Sequence, residues 1–269
     1  HQNNILKDKH VICRFHSYEA FEGFAGKINW KNIHDLIFVA EHIKNIVIQQ
    51  VPELPQLVNN IHIVPNGINM KKFSFKSRTR GKDLAFVGNL GFKKGPMLLL
   101  HAFGELAQMD NQYRLFIAGN FDECRYQLYF SQMVKEMGLE DNIRFDSWVK
   151  DINSWLENKQ YIVCSSLLEG HPVGIMEAMA RGLKPLIHNF VGARDIYPEK
   201  YIWNTIPDFI KMVTEDNYDP AEYRNFIESN YSLEKQTESI DTIITQMCKE
   251  DINHSHSADK KIEQLEVCT

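Results

Sequence analysis

The sequence predicts an α/β fold built on a parallel sheet, and three observations carry that expectation. Short apolar runs, such as Leu84-Ala85-Phe86-Val87, Leu115-Phe116-Ile117-Ala118 and Tyr161-Ile162-Val163-Cys164, alternate with amphipathic stretches of helical period. Strands that alternate with helices build right-handed βαβ units, whose parallel strands are covered on both faces. The first two runs stop at a glycine, Gly88 and Gly119, where a chain can turn sharply from strand to helix. The composition, 43% hydrophobic and 24% charged over 269 residues, is ordinary globular chemistry with room for one large domain or two small ones.

From the N-terminus, Val11-Ile12-Cys13 and Leu36–Val39 read as strands, with Glu41–Gln50 as a helix. Ile61–Val64 is a third strand, halted by the turn signal Pro65-Asn66-Gly67, and the polar, basic run Lys71–Lys82 reads as a linker. Residues 1–80 are therefore expected to be an incomplete N-terminal α/β piece with its linker, because three strands are few for an independent domain. Residues 81–230 are expected to form a Rossmann-like domain. It opens with strand Leu84–Val87, followed by a helix from about Pro96 to Gln108 that sets Leu99, Phe103 and Leu106 on one face. Strand Leu115–Ala118 comes next, then helix Tyr126–Met137 closed by Gly138. Strand Ile143–Phe145, helix Ile152–Glu157, strand Tyr161–Cys164, helix Val173–Arg181 capped by Gly182, and strand Pro185–His188 complete the alternation. Tyr223–Ile227 and Ser232–Met247 read as surface helices, with residues 231–250 a C-terminal helix and 251–269 a mobile tail.

Charge and cysteine usage exclude several function classes. Thirty Lys and Arg against 35 Asp and Glu leave a net charge of −5, so no basic field points to nucleic acid or an anionic membrane surface. No apolar run approaches the ~20 residues of a membrane span, and the start His-Gln-Asn-Asn lacks a signal-peptide layout. The five cysteines (Cys13, Cys124, Cys164, Cys248, Cys268) are scattered and never spaced as CxxC, which fits a reducing, cytoplasmic compartment and offers no metal site.

Ligands of parallel α/β sheets sit at the carboxyl ends of strands, near helix N-termini. The loop Gly88-Asn89-Leu90-Gly91-Phe92-Lys93-Lys94-Gly95 can bring backbone and two ammonium groups to a phosphate, or be a solvated turn. It matches neither the P-loop nor GxGxxG, which argues against NTPase and dehydrogenase readings. The second strand end runs Glu169-Gly170-His171-Pro172-Val173-Gly174-Ile175-Met176-Glu177. Pro172 suits a first helical turn, placing Glu169 outside the helix mouth and Glu177 inside its early turns. Carboxylates there are pure acceptors for sugar and ribose hydroxyls, or simply complement the helix dipole.

Glu169 and Glu177 with seven residues between, followed by Ala-Met-Ala-x-Gly, resemble the E-x7-E motif of the retaining GT-B-fold glycosyltransferases known as "glycosyl transferases group 1". Ile63-Val64-Pro65-Asn66-Gly67-Ile68-Asn69, with Phe73 after it, resembles the family's hinge-side stretch. Phe86–Gly95 resembles its glycine-and-lysine loop. Leu115–Gly119, Phe145–Val149 and Val191-Gly192-Ala193 resemble further landmarks, in the family's order, across roughly Val11 to Met247.

The resemblance implies a GT-B architecture and a role for each matched residue. Lys94 matches the base that binds the donor diphosphate, with Gly88 and Lys93 in the same loop, and Asn89 stands where the family usually has a partner arginine. Glu169 matches the acid that contacts the donor sugar and supports transfer, and Glu177 the acid that holds the nucleotide ribose. Gly170, His171, Pro172 and Val173 match the stretch whose backbone faces sugar and phosphate. Pro172 removes one N–H from that cradle, and the His171 side chain reads as a local substrate contact or, the preferred reading, an exposed surface group. His16, in Arg14-Phe15-His16-Ser17-Tyr18-Glu19 at the first strand's end, matches a histidine that faces the donor across the cleft; a buried or helix-capping histidine is the other reading.

The implied activity is metal-independent transfer, with retention, of a hexose from a UDP- or GDP-linked donor to a glycan, lipid or protein acceptor. No cofactor is implied. A non-catalytic nucleotide-sugar-binding module and a sugar-nucleotide epimerase of the same fold remain as alternatives.

Overall fold

The computed structural model describes residues 9–266, with side chains to residue 249. The chain forms two parallel sheets. The first contains β1 (Ile12–Phe15), α1 (Ser17–Phe21), β2 (Asp35–Phe38), α2 (Glu41–Gln50), α3 (Leu54–Leu57) and β3 (Asn60–Ile63), with strand order β1-β2-β3.

The second sheet follows a linker that is not loose. Lys76 Nζ pairs with Glu157 Oε1 at 2.5 Å, and Arg78 Nη1 donates to the carbonyls of Glu157 and Lys159 at 2.7 and 2.8 Å. The basic run expected from sequence as a linker is thus fastened to the loop that leads into the second sheet's central strands.

That sheet comprises β4 (Asp83–Val87), α4 (Pro96–Met109), β5 (Arg114–Ala118), α5 (Cys124–Glu136), β6 (Ile143–Ser147), α6 (Ile152–Trp155) and β7 (Tyr161–Cys164). It continues with α7 (Val173–Ala180), β8 (Lys184–His188), α8 (Ala193–Ile196), β9 (Ile202–Trp203) and α9 (Ile206–Thr214). Its order is β6-β5-β4-β7-β8-β9, all pairs parallel. The chain moves outward from β4 to β6 and then returns to lay β7 against the other side of β4. Between β4 and β7 the winding reverses, and there the strand ends part to leave a crevice.

The pleat explains why these runs are strands. Leu84 and Phe86 pack with α4 and α9 residues such as Leu99, Phe103 and Phe209, while Ala85 and Val87 face the opposite core with Met176 and Ala178 of α7. All four residues of β7 are buried, as a central parallel strand covered on both faces requires. The core on the α7 side continues into the first sheet through Phe15, Phe38 and Ile43, so one apolar cluster spans both sheets.

Two helices close the chain, α10 (Pro220–Tyr231) and α11 (Leu233–Glu266). Where they meet, the chain returns toward the first sheet beside Ile68, whose N–H donates to Tyr231 O at 2.8 Å and whose carbonyl accepts from Leu233 N at 2.9 Å. This crossing, rather than a left-handed turn, explains the glycine of Pro65-Asn66-Gly67. A Cβ on Gly67 would lie 2.6 Å from the Leu233 Cα and 2.9 Å from the Ser232 carbonyl oxygen. Beyond it, Ile243 of α11 packs on Ile37 and Val64 of the first sheet. The mobile tail expected over residues 251–269 lies outside the described side chains.

Several elements differ from the sequence expectation, the short α1, α3 and α8 among them. Pro172 occupies the N-cap of α7 rather than its first turn, with φ −77° and ψ 87°, and its carbonyl accepts from Ile175 and Met176. Between Glu199 and Asn217, left unassigned from sequence, lie β9 and α9. The latter is opened by a Thr205–Asp208 capping box, in which Asp208 Oδ2 accepts the Thr205 N–H at 2.9 Å.

Candidate functional site

The crevice between β4 and β7 holds a cavity of about 230 Å³. Phe86 and Val87 line it from the end of β4, and Cys164 and Ser166 from the end of β7. Lys94, Glu169, His171, Pro172, Val173 and Gly174 complete the wall. Five of the residues predicted from sequence therefore converge on one space.

Lys94 is delivered by a short 3-10 turn, Phe92–Lys94, which Gly95 ends at φ 59°. A Cβ on Gly95 would meet the Ser165 carbonyl oxygen at 2.3 Å, so both its dihedral and its contact exclude other residues. Ser165 Oγ donates to Lys94 O at 2.7 Å and Leu167 N to Lys93 O at 2.8 Å, stapling this loop to the one after β7. The Lys94 aliphatic stem runs over Gly88, where a Cβ would sit 3.4 Å from its Cε.

Glu169 is buried, and its Oε1 accepts from Lys94 Nζ at 2.5 Å and from Ser166 Oγ at 2.7 Å. Its Oε2 takes no hydrogen bond among the described residues. The next element, α7, opens on the same cavity, and the N–H groups of Val173 and Gly174 have no acceptor within the helix. An ammonium group and a helix mouth thus face one small space, the arrangement that holds an anion.

His171 corrects the sequence expectation of an exposed side chain: it is 7% exposed. Tyr231, at the end of α10, packs edge-on against its ring at 4.9 Å, and Asn66 Nδ2 donates to its carbonyl at 3.4 Å. Burial, reinforced by the charges of His42 and Arg14, pulls its pKa down to about 3. Burial pushes the Cys164 thiol, on the same wall, up to about 11.

Six predicted residues, Gly88, Asn89, Lys93, Gly170, Glu177 and His16, are not among its lining. Lys93 and Asn89 are exposed, and Asn89 Oδ1 accepts from Asn120 N at 3.2 Å, turned toward the loop after β5. Glu177 is half-buried further along α7, where desolvation raises its pKa and the Lys72 ammonium offsets part of that rise.

The first sheet meets the crevice at two points. His16 sits at the N-cap of α1, its N–H held by Glu19 Oε2 at 3.0 Å. Its neighbour Ser17 lies against Gly170, where a Cβ would come within 2.8 Å of Ser17 Oγ. The second contact was not anticipated: His42 of α2, buried, donates through Nε2 to the Glu169 carbonyl at 2.8 Å. Gly192 gives it room, since a Cβ there would be 2.1 Å from the His42 ring. The family-like glycine at 192 was legible in sequence; its partner, 150 positions away, was not. Ser166, which orients Glu169 while its own carbonyl accepts from His188 Nδ1 at 3.0 Å, was also missed.

Two parallel α/β sheets with a cation, a carboxylate and a helix mouth in the crevice of the second define a GT-B glycosyltransferase architecture. The solved structure of Anabaena HepE in complex with UDP shares the fold, with a TM-score of 0.74 at 15% identity over 90% of this chain and 74% of that one. So does Staphylococcus aureus TarM, determined as a mutant with fondaparinux, alpha-GlcNAc-glycerol and UDP, with a TM-score of 0.71 at 18% identity over 86% and 50%. The chain belongs to the family "Glycosyl transferases group 1", whose profile matches residues 68–242. It is 24% identical over 177 residues to a GDP-mannose:cellobiosyl-diphosphopolyprenol alpha-mannosyltransferase of Xanthomonas oryzae, covering 64% of this chain and 41% of that protein. It is 25% identical over 258 residues to a UDP-Gal:alpha-D-GlcNAc-diphosphoundecaprenol alpha-1,3-galactosyltransferase of Escherichia coli, covering 86% and 64%. The chain thus spans less than two thirds of either relative.

Proposed function

We propose that this chain is the donor-binding half, with part of the acceptor side, of a retaining glycosyltransferase that moves a hexose from a UDP- or GDP-linked donor without a divalent metal. The observation that carries this reading is the convergence of Lys94, Glu169 and the mouth of α7 on one cavity. As the glycosidic bond breaks, negative charge grows on the leaving diphosphate. Lys94 Nζ and the free N–H groups of Val173 and Gly174 are already aimed there, and pre-aimed donors lower that barrier without reorganisation. In this reading Glu169 Oε2 accepts from a sugar hydroxyl and Glu177 from the ribose, since carboxylates are pure acceptors for such hydroxyls. His16, beside the Ser17–Gly170 contact, faces the sugar from the acceptor side. Residues 1–80 and 81–230 act as the acceptor-side piece with its linker and as the donor domain. The names of the two relatives favour a lipid-diphosphate-linked acceptor, and a cytoplasmic setting follows from where nucleotide-sugars are used.

The test is isothermal titration of the chain with UDP, GDP and their hexose conjugates, paired with transfer assays on lipid-diphosphate glycans with and without EDTA. The expected result is donor binding with weak transfer that EDTA does not change and that keeps the anomeric configuration. Failure of every nucleotide and nucleotide-sugar to bind would sink the reading.

Asn89 favours one second reading, a nucleotide-sugar-binding module without turnover, because its side chain faces Asn120 rather than the phosphate space. Donor binding with neither transfer nor slow donor hydrolysis, in the chain extended to the length of its relatives, would favour it.

A further inference from the structure

We propose that His42 is the positioning residue of Glu169: carried on α2 of the first sheet, it holds the acid's main chain and thereby sets where the carboxylate meets the donor's sugar. The proposal rests on the nucleotide-sugar reading above. His42 Nε2 donates to the Glu169 carbonyl at 2.8 Å, and the two residues are only 6% and 8% exposed. Among the described residues no main-chain N–H donates to that carbonyl, so the imidazole supplies what a buried acceptor needs.

The contact is built from both sides. The buried residues of α2 are His42, Ile43 and Val47, so His42 belongs to the face turned inward. An apolar side chain would serve packing there, whereas the imidazole brings a second nitrogen, Nδ1, that is buried without a partner. A polar ring kept at that cost points to the bond its other nitrogen makes. On the facing side, Gly192 precedes α8 with φ 86°, and a Cβ there would lie 2.1 Å from His42 Cγ and 2.2 Å from Nδ1. The chain after β8 thus closes on the ring and restricts its rotation. The next two residues also face the first sheet, more loosely. Ser17 lies against Gly170, and Asn66 Nδ2 donates to the His171 carbonyl at 3.4 Å.

A bond to the carbonyl bears on the carboxylate through geometry. The Glu169 carboxylate is tied at its tip, Oε1 accepting from Lys94 Nζ at 2.5 Å and from Ser166 Oγ at 2.7 Å. Both partners belong to loops of the second sheet. His42 ties the same residue at its main chain, from the other sheet. A glutamate held at both ends has few rotamers left, so Oε2 keeps one place relative to the mouth of α7. Without the His42 donor the buried carbonyl is unpaired, and the segment around Glu169 turns to satisfy it. A shift of about 1 Å at a reacting group can cost about 100-fold in rate. Lys94 arrives on a different loop, so the diphosphate contact outlasts that shift.

The experiment compares His42→Met and His42→Gln with the unmodified chain. The two replacements are similarly long and unbranched, and only glutamine keeps an N–H donor at its tip. Isothermal titration reads affinity for UDP and GDP and for UDP-glucose, UDP-galactose and GDP-mannose. Release of free hexose from saturating nucleotide-sugar reads turnover, and the affinity split decides by itself where turnover is absent. For His42→Met the expected result is a loss of about tenfold in nucleotide-sugar affinity and about 100-fold in turnover, with nucleoside-diphosphate affinity unchanged within twofold. His42→Gln should recover most of both losses. Glutamine as poor as methionine would show that the hydrogen bond is not what matters and overturn the proposal. Equal weakening of nucleotide and nucleotide-sugar, in step with a lower melting temperature, would do the same by marking a purely structural contact. Should His42→Met not fold, His42→Leu takes its place in the comparison. If the unmodified chain binds none of these ligands, the nucleotide-sugar reading itself fails. Binding and turnover that are indifferent to residue 42 leave that reading standing and remove this inference alone.

Discussion

Lys94 Nζ lies 2.5 Å from Glu169 Oε1, so the base proposed for the diphosphate and the acid proposed for the adjoining sugar are bonded to each other. The pair spans two loops that follow different strands, and it fixes the height of the ammonium group above the crevice. An ammonium has three donors, of which Glu169 takes one, and the rest stay available to phosphate oxygens. The pairing orders the lysine before a ligand arrives, which reduces the entropy that binding must remove.

Lys94→Ala should weaken nucleoside-diphosphate binding by roughly 10- to 100-fold, the worth of a hydrogen bond to a charged group, while nucleoside binding changes far less. It also leaves the buried Glu169 carboxylate with only Ser166, at a cost of about 1–3 kcal/mol once the partial exposure of Lys94 is allowed for. Titration with a nucleoside and its diphosphate checks the first effect. Equal weakening of the two would show that the lysine is not a phosphate ligand.

Glu177 has a pKa raised mainly by burial. Its folded form holds a proton more tightly than its unfolded form. The stability this contributes is therefore complete below the usual glutamate pKa and is lost as pH climbs through the raised value. At neutral pH the ionised carboxylate is a net cost, so Glu177→Gln should melt no lower than the unmodified chain at pH 7. The same substitution should weaken nucleotide binding about 5- to 30-fold through loss of charge-assisted bonds to the ribose. Thermal melts across the acid range and nucleotide titrations at pH 7 measure both, and an unchanged nucleotide dissociation constant would remove the ribose role.

Gly170→Ala should destabilise the chain by about 1–3 kcal/mol, because the new methyl group meets Ser17 Oγ at 2.8 Å and Ser17 Cβ at 2.9 Å. At this chain length each kcal/mol is roughly 2–4 °C in melting temperature. Adding Ser17→Gly should return most of the loss. A double mutant that melts like Gly170→Ala would show that the two loops do not meet.

Ser147 ends β6 with φ 52°, a left-handed conformation that a Cβ disfavours. Ser147→Gly should gain about 0.5–1 kcal/mol, the relief of strain exceeding the extra freedom of glycine when unfolded. A lower melting temperature would show that the serine has a contact worth more than its strain.

Legibility in the sequence followed sequence distance. The strands β4, β5 and β7 were plain because each is a continuous apolar run, and α2 falls on the residues expected of it, Glu41–Gln50. The short β9, two residues long, was hidden because so brief a run has no period, whereas α9 does carry start signals, Thr205 as cap and Pro207 in its first turn. At the site, Lys94 and Glu169 stood out from their order along the chain. His42 did not: on α2 it is one more polar residue, and its bond to the Glu169 carbonyl joins positions 127 apart. The His171 expectation failed for the same reason, since the ring is covered by Tyr231, 60 residues later.

The paired segments beside Ile68 have a mechanical consequence. The polypeptide passes between the two sheets twice, once near Ile68 and again near Ser232, and the passages lie side by side, held by the Ile68–Tyr231 and Leu233–Ile68 hydrogen bonds. A single tether lets the bodies it joins swivel about its own dihedrals. Two tethers clasped together resist swivelling, because torsion would have to tear both bonds, whereas folding across the pair strains neither. The joint therefore holds the two sheets in a single register, the one in which Ser17 meets Gly170 and His42 meets the Glu169 carbonyl.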